Sequence, residues 1–231
     1  MKTELRSQAV KLRLEQQLGY ASIAKLVPVS KSTLSGWLRN YPLPESRIRE
    51  LRKQNLKNND AKIEAFRNTM RTKRDDKFQA SYQAHLRGMS KLSKQTRFIA
   101  GLMLYLAEGA KKDYYHISLA NTDVRVIRFF IRWAEDFLGI SKKLLKFQLH
   151  LYPTMDIAEE VKYWKSHLEV SKSQFYKNQI RKLQKASFTY RESFRHGTCS
   201  IFYSSSEKKR ELMSAIQAFT DIFLQNPRGR S

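Results

Sequence analysis

The chain has 231 residues and is strongly basic, because 44 Lys and Arg oppose 21 Asp and Glu to give a formal net charge of +23 at pH 7. A protein this basic most often meets a polyanion, and nucleic acid is the default partner. The length suits one large domain or two small ones.

The composition also argues against several classes of protein. No apolar run approaches the length of a membrane span, and the N-terminus has no signal-peptide pattern. The single cysteine, Cys199, excludes an internal disulfide framework and a thiolate-rich zinc site. No glycine-rich loop that would cradle a nucleotide is present. We therefore expect a cytoplasmic, nucleoid-associated protein that binds double-stranded DNA, with no membrane partner and no small-molecule cofactor.

Residues 5 to 40 have the pattern of three short helices. A first helix is predicted to end near Gly19, and the second to run from Tyr20 to Leu26. The segment Val27-Pro28-Val29 makes a turn, and Ser30 is a suitable N-cap for a third helix.

The predicted third helix has an apolar side and a small, polar side. Leu34, Trp37 and Leu38 share the apolar side, whereas small residues such as Gly36 lie opposite them. Small side chains let a helix approach base edges closely, and Lys or Arg at its ends can reach phosphate or guanine. The residues predicted to bind DNA on this helix are Lys31, Ser32, Ser35 and Arg39.

The string VSKSTLSGWLRNYPL resembles the helix-turn-helix of resolvase-like and transposase-like proteins. This resemblance implies a DNA-binding domain, which we place at residues 1–44. Gly36 departs from the pattern, since such helices often carry a long basic residue there, and weak base readout is expected at this position. The alternative is a three-helix bundle that does not bind DNA, or a protein-interaction domain.

Residues 45–94 form a predicted basic helical connector. The segment is rich in Lys, Arg, Gln and Asn, and its scattered apolar residues recur at helical spacing. Two interpretations stay open for it. One is a solvated helical connector and the other is a basic arm that follows DNA phosphates between two binding domains, and the two are compatible.

The most apolar stretch of the chain runs from Phe98 to Gly109 and ends in an acid and a glycine. At helical spacing it has two apolar faces, and Gly101 on one of them favours a close helical neighbour. Glu108 falls in the last turn, where a carboxylate opposes the helix dipole and costs stability. A residue that works against its own helix points to a function.

Beyond residue 95 the predicted order is helix, strand, helix, strand, helix, loop, strand, helix. Alternating apolar residues mark the strands, and capping residues mark the helices. The predicted strands are Tyr115 to Ala120, Leu144 to Tyr152 and Thr198 to Ser204. The predicted helices run from Asp123 to Leu138, from Asp156 to Leu168 and from Glu207 to Leu224.

The second predicted strand has an apolar side and a polar side that suits a DNA groove. The segment 172–195 then mixes basic and aromatic residues, as nucleic-acid-binding surfaces do. A merely solvated sheet face would look similar. The residues predicted to bind DNA in this half are Lys146, Gln148, His150, Lys177 and Arg181.

The stretch GLMLYLAEG, Gly101 to Gly109, resembles the core motif of the LAGLIDADG family, the homing endonucleases and their DNA-binding relatives. The resemblance covers roughly residues 95–224, within a predicted domain at 95–231. It implies an α+β protein whose C-terminal domain combines helices with an antiparallel sheet. Met103 departs from the family, which usually has glycine there, and Glu108 stands where Asp is commonest.

The resemblance also implies an activity. One motif per chain implies a homodimer in which two such helices pack at the centre, and each brings its acid to the scissile phosphates. Glu108 would then be the catalytic residue and the ligand of Mg²⁺. The resulting hypothesis is a Mg²⁺-dependent, site-specific DNA endonuclease, and the alternative is a non-catalytic transcriptional regulator with the same fold.

Two other chemistries fit the residues less well. A transposase-like triad would use Glu108, Asp123 and Asp156, yet the two aspartates resemble helix caps. A zinc site would need His196, Cys199 and His150, which lack paired ligand spacing.

Overall fold

The computed structural model describes residues 2–54, 60–153, 155–180 and 196–225. The chain divides into two compact units, Met1–Lys91 and Leu92–Ser231. The fold is mixed α+β, as the sequence predicts, and the described strands all belong to the second unit. Within the described ranges, no helix combines the length and the apolar character needed to cross a membrane.

The first unit is helical. Its helices are α1 (Lys2–Glu15), α2 (Tyr20–Leu26), α3 (Lys31–Trp37), α4 (Glu45–Gln54) and α5 (Asp60–Gly88). The hydroxyl of Ser30 accepts a hydrogen bond from the Thr33 amide at 3.2 Å and caps α3, as predicted. Because α3 ends at Trp37, Arg39 lies in the following turn and not on the helix itself.

A small apolar core holds α1, α2 and α3 together. Leu34 of α3 and Leu38, the residue directly after α3, point into it as the sequence predicts, whereas Trp37 is only half-buried. The buried members of this core are Ala9, Tyr20, Ile23, Val27, Leu34 and Leu38.

Buried charges join α5 to this core. The guanidinium of Arg13 donates to the carboxylate of Glu64 at 2.7 Å, and both side chains are almost fully buried. The same carboxylate oxygen accepts a hydrogen bond from the backbone amide of Tyr20 at 2.8 Å. Glu64 therefore links α5 to both α1 and α2.

Asp60, at the start of α5, completes the contact with α2. Its carboxylate accepts from the amide and the hydroxyl of Ser22 and from the amide of Ala21. The first amides of a helix lack partners within it, so the two carboxylates of α5 serve as the cap of α2. Gly19 is required here, because a Cβ at this position would overlap the Asp60 carboxylate.

The second unit alternates helices and strands. Its caps match the sequence pattern, because Asp123 and Asp156 cap the starts of helices and Gly139 ends one in the left-handed conformation, with φ of 65°. The elements are α6 (Lys94–Glu108), β1 (His116–Asn121), α7 (Val124–Leu138), β2 (Lys146–Leu151), α8 (Ile157–Leu168), β3 (Gln179–Ile180), β4 (Thr198–Ser204) and α9 (Ser206–Gln225).

The four described strands form one sheet in the order β1-β4-β2-β3. The pairs β1–β4 and β4–β2 are antiparallel, but β2 and β3 are parallel. The sheet is therefore mixed, and the predicted purely antiparallel sheet is wrong. The cause is α8, which carries the chain back across the sheet after β2, so that the chain returns alongside β2 in the same direction.

The main apolar core lies between this sheet and the helices. Phe147, Leu149 and Leu151 of β2 are buried, as their alternation predicts. The close neighbour of α6 is α7, because a Cβ at Gly101 would overlap the indole of Trp133. That indole is also fixed by a hydrogen bond of 3.0 Å from its N–H to the Phe98 carbonyl.

Candidate nucleic-acid interface

The solvent-facing side of α3 carries the residues that the sequence predicts to bind DNA. Lys31, Ser32 and Gly36 are exposed, and so is Arg39 in the turn beyond the helix. Ser35 is half-buried. Apart from the chain neighbours of Gly36 and the backbone of α3 itself, no described atom lies within 4 Å of the position that a Cβ would take at Gly36. A DNA groove could therefore approach α3 closely here.

Helix α5 flanks this surface. The guanidinium of Arg67 donates to the Ser35 hydroxyl at 3.1 Å, and that of Arg71 donates to the Arg39 carbonyl at 3.2 Å. Arg67 also lies 4.4 Å from the ring centroid of Tyr20, within the range of a cation–π contact. Arg67 is thus held by α2 and α3 together, and the Ser35 hydroxyl already has a partner within the protein.

The predicted DNA-binding residues of β2 hold the edge of the sheet. The ammonium of Lys146 donates to the Ser173 carbonyl at 3.3 Å, and the amide of Gln148 donates to the Lys177 carbonyl at 3.0 Å. The His150 ring lies 2.9 Å from the Ser200 hydroxyl.

These three side chains are half-buried, whereas Lys177 is exposed. The structure brings Lys146, Gln148 and Lys177 together. The hydrogen bonds of Lys146 and Gln148 hold the segment from Ser173 to Lys177, which precedes β3, against β2. Arg181 lies outside the described residues.

Glu108 is the last residue of α6 and is exposed. It makes no hydrogen bond or ion pair with any residue that the structure describes. Across these same residues, no three His, Cys, Asp or Glu side chains come close enough to hold a metal ion. One described chain therefore provides a single accessible carboxylate at the end of α6.

Lys209 is a buried cation beside this helix end, and the sequence analysis missed it. Its side chain is 2% exposed, and its ammonium donates to the Tyr105 hydroxyl at 2.8 Å and to the Ala110 carbonyl. Burial raises the pKa of Tyr105 to about 12, and burial lowers the pKa of Lys209. The available signal was its spacing, since Lys209, Leu212 and Ile216 share one stripe of α9.

The residues of the two other chemistries have different roles. Asp123 and Asp156 cap α7 and α8 through backbone amides. Burial raises the pKa of the Cys199 thiol, which disfavours the thiolate that zinc binds. His196 lies 2.9 Å from Glu160 and stacks on Tyr163.

Comparison with known proteins finds no family model, no curated protein and no solved structure that matches the chain. The two resemblances therefore depend on the short motifs VSKSTLSGWLRNYPL and GLMLYLAEG.

Proposed function

We propose that this protein binds double-stranded DNA sequence-specifically, with α2 and α3 acting as a helix-turn-helix. The observation that carries the proposal is the division of α3, whose Leu34 side is buried in a core while Lys31, Ser32 and Gly36 face solvent. A recognition helix needs this division, because one side must hold the domain and the other must enter the major groove.

The contacts of α5 refine the proposal. Because the Ser35 hydroxyl accepts a bond from Arg67, base contacts fall mainly to the N-terminal part of α3, where Lys31 and Ser32 lie. The N-terminal residues of a recognition helix are those that usually contact base edges. The net charge of +23 supplies the nonspecific attraction to DNA.

For the second unit we propose a LAGLIDADG-like domain that dimerises through α6. The exposed side of this helix has small side chains at helical spacing, namely Thr96, Ala100 and Ala107. Met103, at the border of this side, is half-buried and packs against the core. Small residues let two helices approach closely. Gly101 cannot serve this contact because it packs against Trp133. The sheet departs from the paired strands of the family, because β1 is followed directly by α7.

DNA cleavage is a second candidate function, supported by the exposed Glu108 at the end of this helix. Two copies of α6 would bring two such carboxylates together, and carboxylate oxygens are ligands that Mg²⁺ prefers. Bound Mg²⁺ would activate a water and stabilise the leaving oxygen. The described part of one chain does not assemble a full set of ligands, so we assign no catalytic step to the single chain.

A non-catalytic regulator is the competing class. It keeps the same DNA contacts and dimer but uses neither Glu108 nor Mg²⁺. Met103, at the expected crossing of the two helices, is bulkier than the usual glycine of the family and favours this alternative.

A selection from randomised duplex DNA tests both levels of the proposal. The protein is incubated with the pool in Ca²⁺, and the bound DNA is then moved into Mg²⁺. Wild-type protein, Glu108→Gln and the matched control Glu159→Gln, another exposed glutamate, are compared. Enrichment of one sequence is expected for all three, and a palindrome among the enriched sequences would support the dimer.

The cleavage step then separates the two candidates. A nuclease predicts that wild type and Glu159→Gln cut the enriched DNA and that Glu108→Gln binds without cutting. An enriched pool that none of the proteins cuts favours the regulator. Failure to enrich any sequence would contradict specific recognition altogether.

A further inference from the structure

A cationic cleft lies between α3 and α5 and has a volume of about 770 Å³. Gly36 forms part of its α3 side, and the exposed Phe66 and Met70 of α5 add an apolar surface. The cations that line it are Arg39, Arg67, Arg71, Lys73, Arg74 and Lys77.

The helical repeat of α5 explains why these cations converge. Arg67, Arg71 and Arg74 are spaced i, i+4 and i+7, so they share one side of the helix. Lys73 and Lys77, spaced i and i+4, form a neighbouring row. Two adjacent rows of positive charge therefore lie next to α3, and they begin in the packed part of α5 at Arg67 and continue into its exposed part at Lys77.

We propose that this cleft binds the sugar-phosphate backbone of the DNA strand whose bases α3 approaches. The proposal rests on the DNA binding proposed above and assigns the contact with the strand to particular residues. The phosphates lie among the cations, and the apolar surface of Phe66 and Met70 packs against the sugars. Aromatic and basic residues combine in this way on other nucleic-acid surfaces.

The cations of the cleft repel one another in the free protein. Burial lowers the pKa of Arg71, and the neighbouring charges of Arg67 and Arg74 lower it further. The acids that act on it are Glu64, which already pairs with Arg13, and Asp75, which lies 3.4 Å from Arg74 at an exposed position. A bound phosphate would relieve this repulsion between cations.

The dimensions also suit a nucleic-acid strand. The seven-residue step from Arg67 to Arg74 covers roughly 10 Å at 1.5 Å per residue. One strand of B-DNA presents a phosphate about every 3.4 Å along the helix axis, so the row spans about three phosphates. Arg67 and Arg71 are positioned in advance by their bonds to Ser35 of α3 and to Arg39 in the turn after it, and a guanidinium has five N–H donors in total.

The test compares two variants that lose the same charge. The cleft variant carries Lys73→Gln, Arg74→Gln and Lys77→Gln, and the control carries Arg49→Gln, Arg52→Gln and Lys62→Gln. All six side chains are exposed, so both variants should fold, which circular dichroism checks. The affinity for a duplex of random sequence is measured over a range of salt concentrations.

Each lost phosphate contact should reduce the slope of log K against log salt by about 0.9. We expect the cleft variant to lose roughly 2 to 3 from this slope, and the control to keep the wild-type slope. Equal losses in both variants would overturn the cleft while leaving DNA binding intact. Wild-type protein that binds no duplex would instead overturn the proposed function.

Two further arms keep the result interpretable. If wild-type protein binds a single-stranded oligonucleotide and not the duplex, a reduced slope in the cleft variant still supports a backbone-binding cleft. If pyrophosphate binds more weakly to the cleft variant than to the control while their duplex slopes stay equal, the cleft takes a free anion and the proposal is overturned.

A cross-linking measurement gives an independent map of the contact. Cys199 is the only cysteine of the chain and is fully buried, so a cysteine introduced at the surface is the one reactive thiol. A photo-cross-linker attached through Lys73→Cys should capture DNA, and one attached through Lys62→Cys should not. Equal capture from both positions contradicts the proposal.

Discussion

Each of the two units of the chain is stabilised internally by a different kind of interaction. The first unit has a small apolar core and adds the buried charges of Arg13, Asp60 and Glu64. The second unit has a much larger apolar core rich in aromatic side chains, and Lys209 is its buried cation. A small helical domain buries too little apolar surface for wide stability margins, so directed polar bonds matter more there.

The polar bonds of the first unit show how the position of a helix, here α5, can be fixed relative to its neighbours. Apolar contacts tolerate small displacements of a helix, whereas the carboxylates of Asp60 and Glu64 must reach the amides at the start of α2. Buried charges are costly, and their benefit is often specificity of arrangement more than stability. In this unit the arrangement that they specify is α5 beside α3, which forms the cationic cleft.

The largest effect expected is the loss of the buried ion pair. Glu64→Ala should destabilise the first unit by about 3 to 5 kcal/mol, because Arg13 would keep a buried charge without a partner. Fluorotryptophan NMR during urea unfolding can follow the units separately, since Trp37 lies in the first unit and Trp133 and Trp164 lie in the second.

Two controls identify the cause of this loss. Glu50→Ala breaks the exposed pair with Arg47 and should cost about 0.5 kcal/mol or less. The double variant Arg13→Met, Glu64→Leu should regain only part of the stability lost by Glu64→Ala, because it removes the unpaired charge but still leaves the Tyr20 amide without its acceptor. A double variant as unstable as the single one would show that an unpaired charge is not the cause.

The second unit should be most sensitive to added volume. Gly101→Ala places a methyl group inside the space of the Trp133 indole, and we expect a loss of about 3 kcal/mol from overpacking. The Trp133 resonance should shift as the ring moves, while the Trp37 resonance of the first unit should not. An unchanged stability would mean that α6 and α7 do not approach as closely as described.

A smaller effect is expected from Tyr105 at alkaline pH. The pKa of Tyr105 is about 12 in the folded protein, against an ordinary value of 10.0. Its contribution to the free energy of unfolding is therefore complete below pH 10 and is lost as pH rises from 10 to 12. Such a difference in pKa corresponds to roughly 2 to 3 kcal/mol.

Lys209 sets the pH range in which the effect of Tyr105 on the free energy of unfolding can be measured. Burial lowers the pKa of Lys209 in the folded protein. The contribution of Lys209 to the free energy of unfolding therefore increases with pH, up to the ordinary lysine pKa of 10.5 that applies in the unfolded chain. Between pH 10.5 and 12 the second unit of Tyr105→Phe should lose less stability than that of wild type. The exposed Tyr114→Phe should follow wild type, and parallel curves for all three proteins would contradict the prediction.

The smallest expected effect is a gain. Gly36→Ala meets open space on a helix, and alanine should stabilise α3 by about 0.5 to 1 kcal/mol. The contrast with Gly101→Ala isolates packing, because the substitution is the same and the surroundings differ. If the added methyl group instead weakens binding to DNA, the surface of α3 at Gly36 lies against the duplex.

The parts of the fold that sequence predicts well are those specified by neighbouring residues. Asp123, Asp156 and Gly139 mark helix ends through local hydrogen bonds or a local backbone conformation, and β4 has its predicted bounds. Pairing of β2 with β3 was missed because β3 is two residues long and its register depends on the path of α8.

The candidate site was only partly predictable for the same reason. The exposed surface of α3 follows from helical spacing around Leu34 and Leu38. The position of α5 beside α3 does not follow from a local pattern, because the bonds of Asp60 and Glu64 reach 38 to 51 residues back along the chain. No local pattern distinguishes a glutamate that caps a distant helix from one that faces water.

The bare second half of α5 has a consequence for backbone exchange with solvent. Every residue from Thr72 to Gly88 is exposed, although the helix is continuous from Asp60. A helical segment of this length is marginally stable without packing, so its amides should exchange with deuterium much faster than those near Glu64. One helix should thus contain a slow half and a fast half that meet near Arg71, and DNA bound in the cleft should move that border toward Lys77.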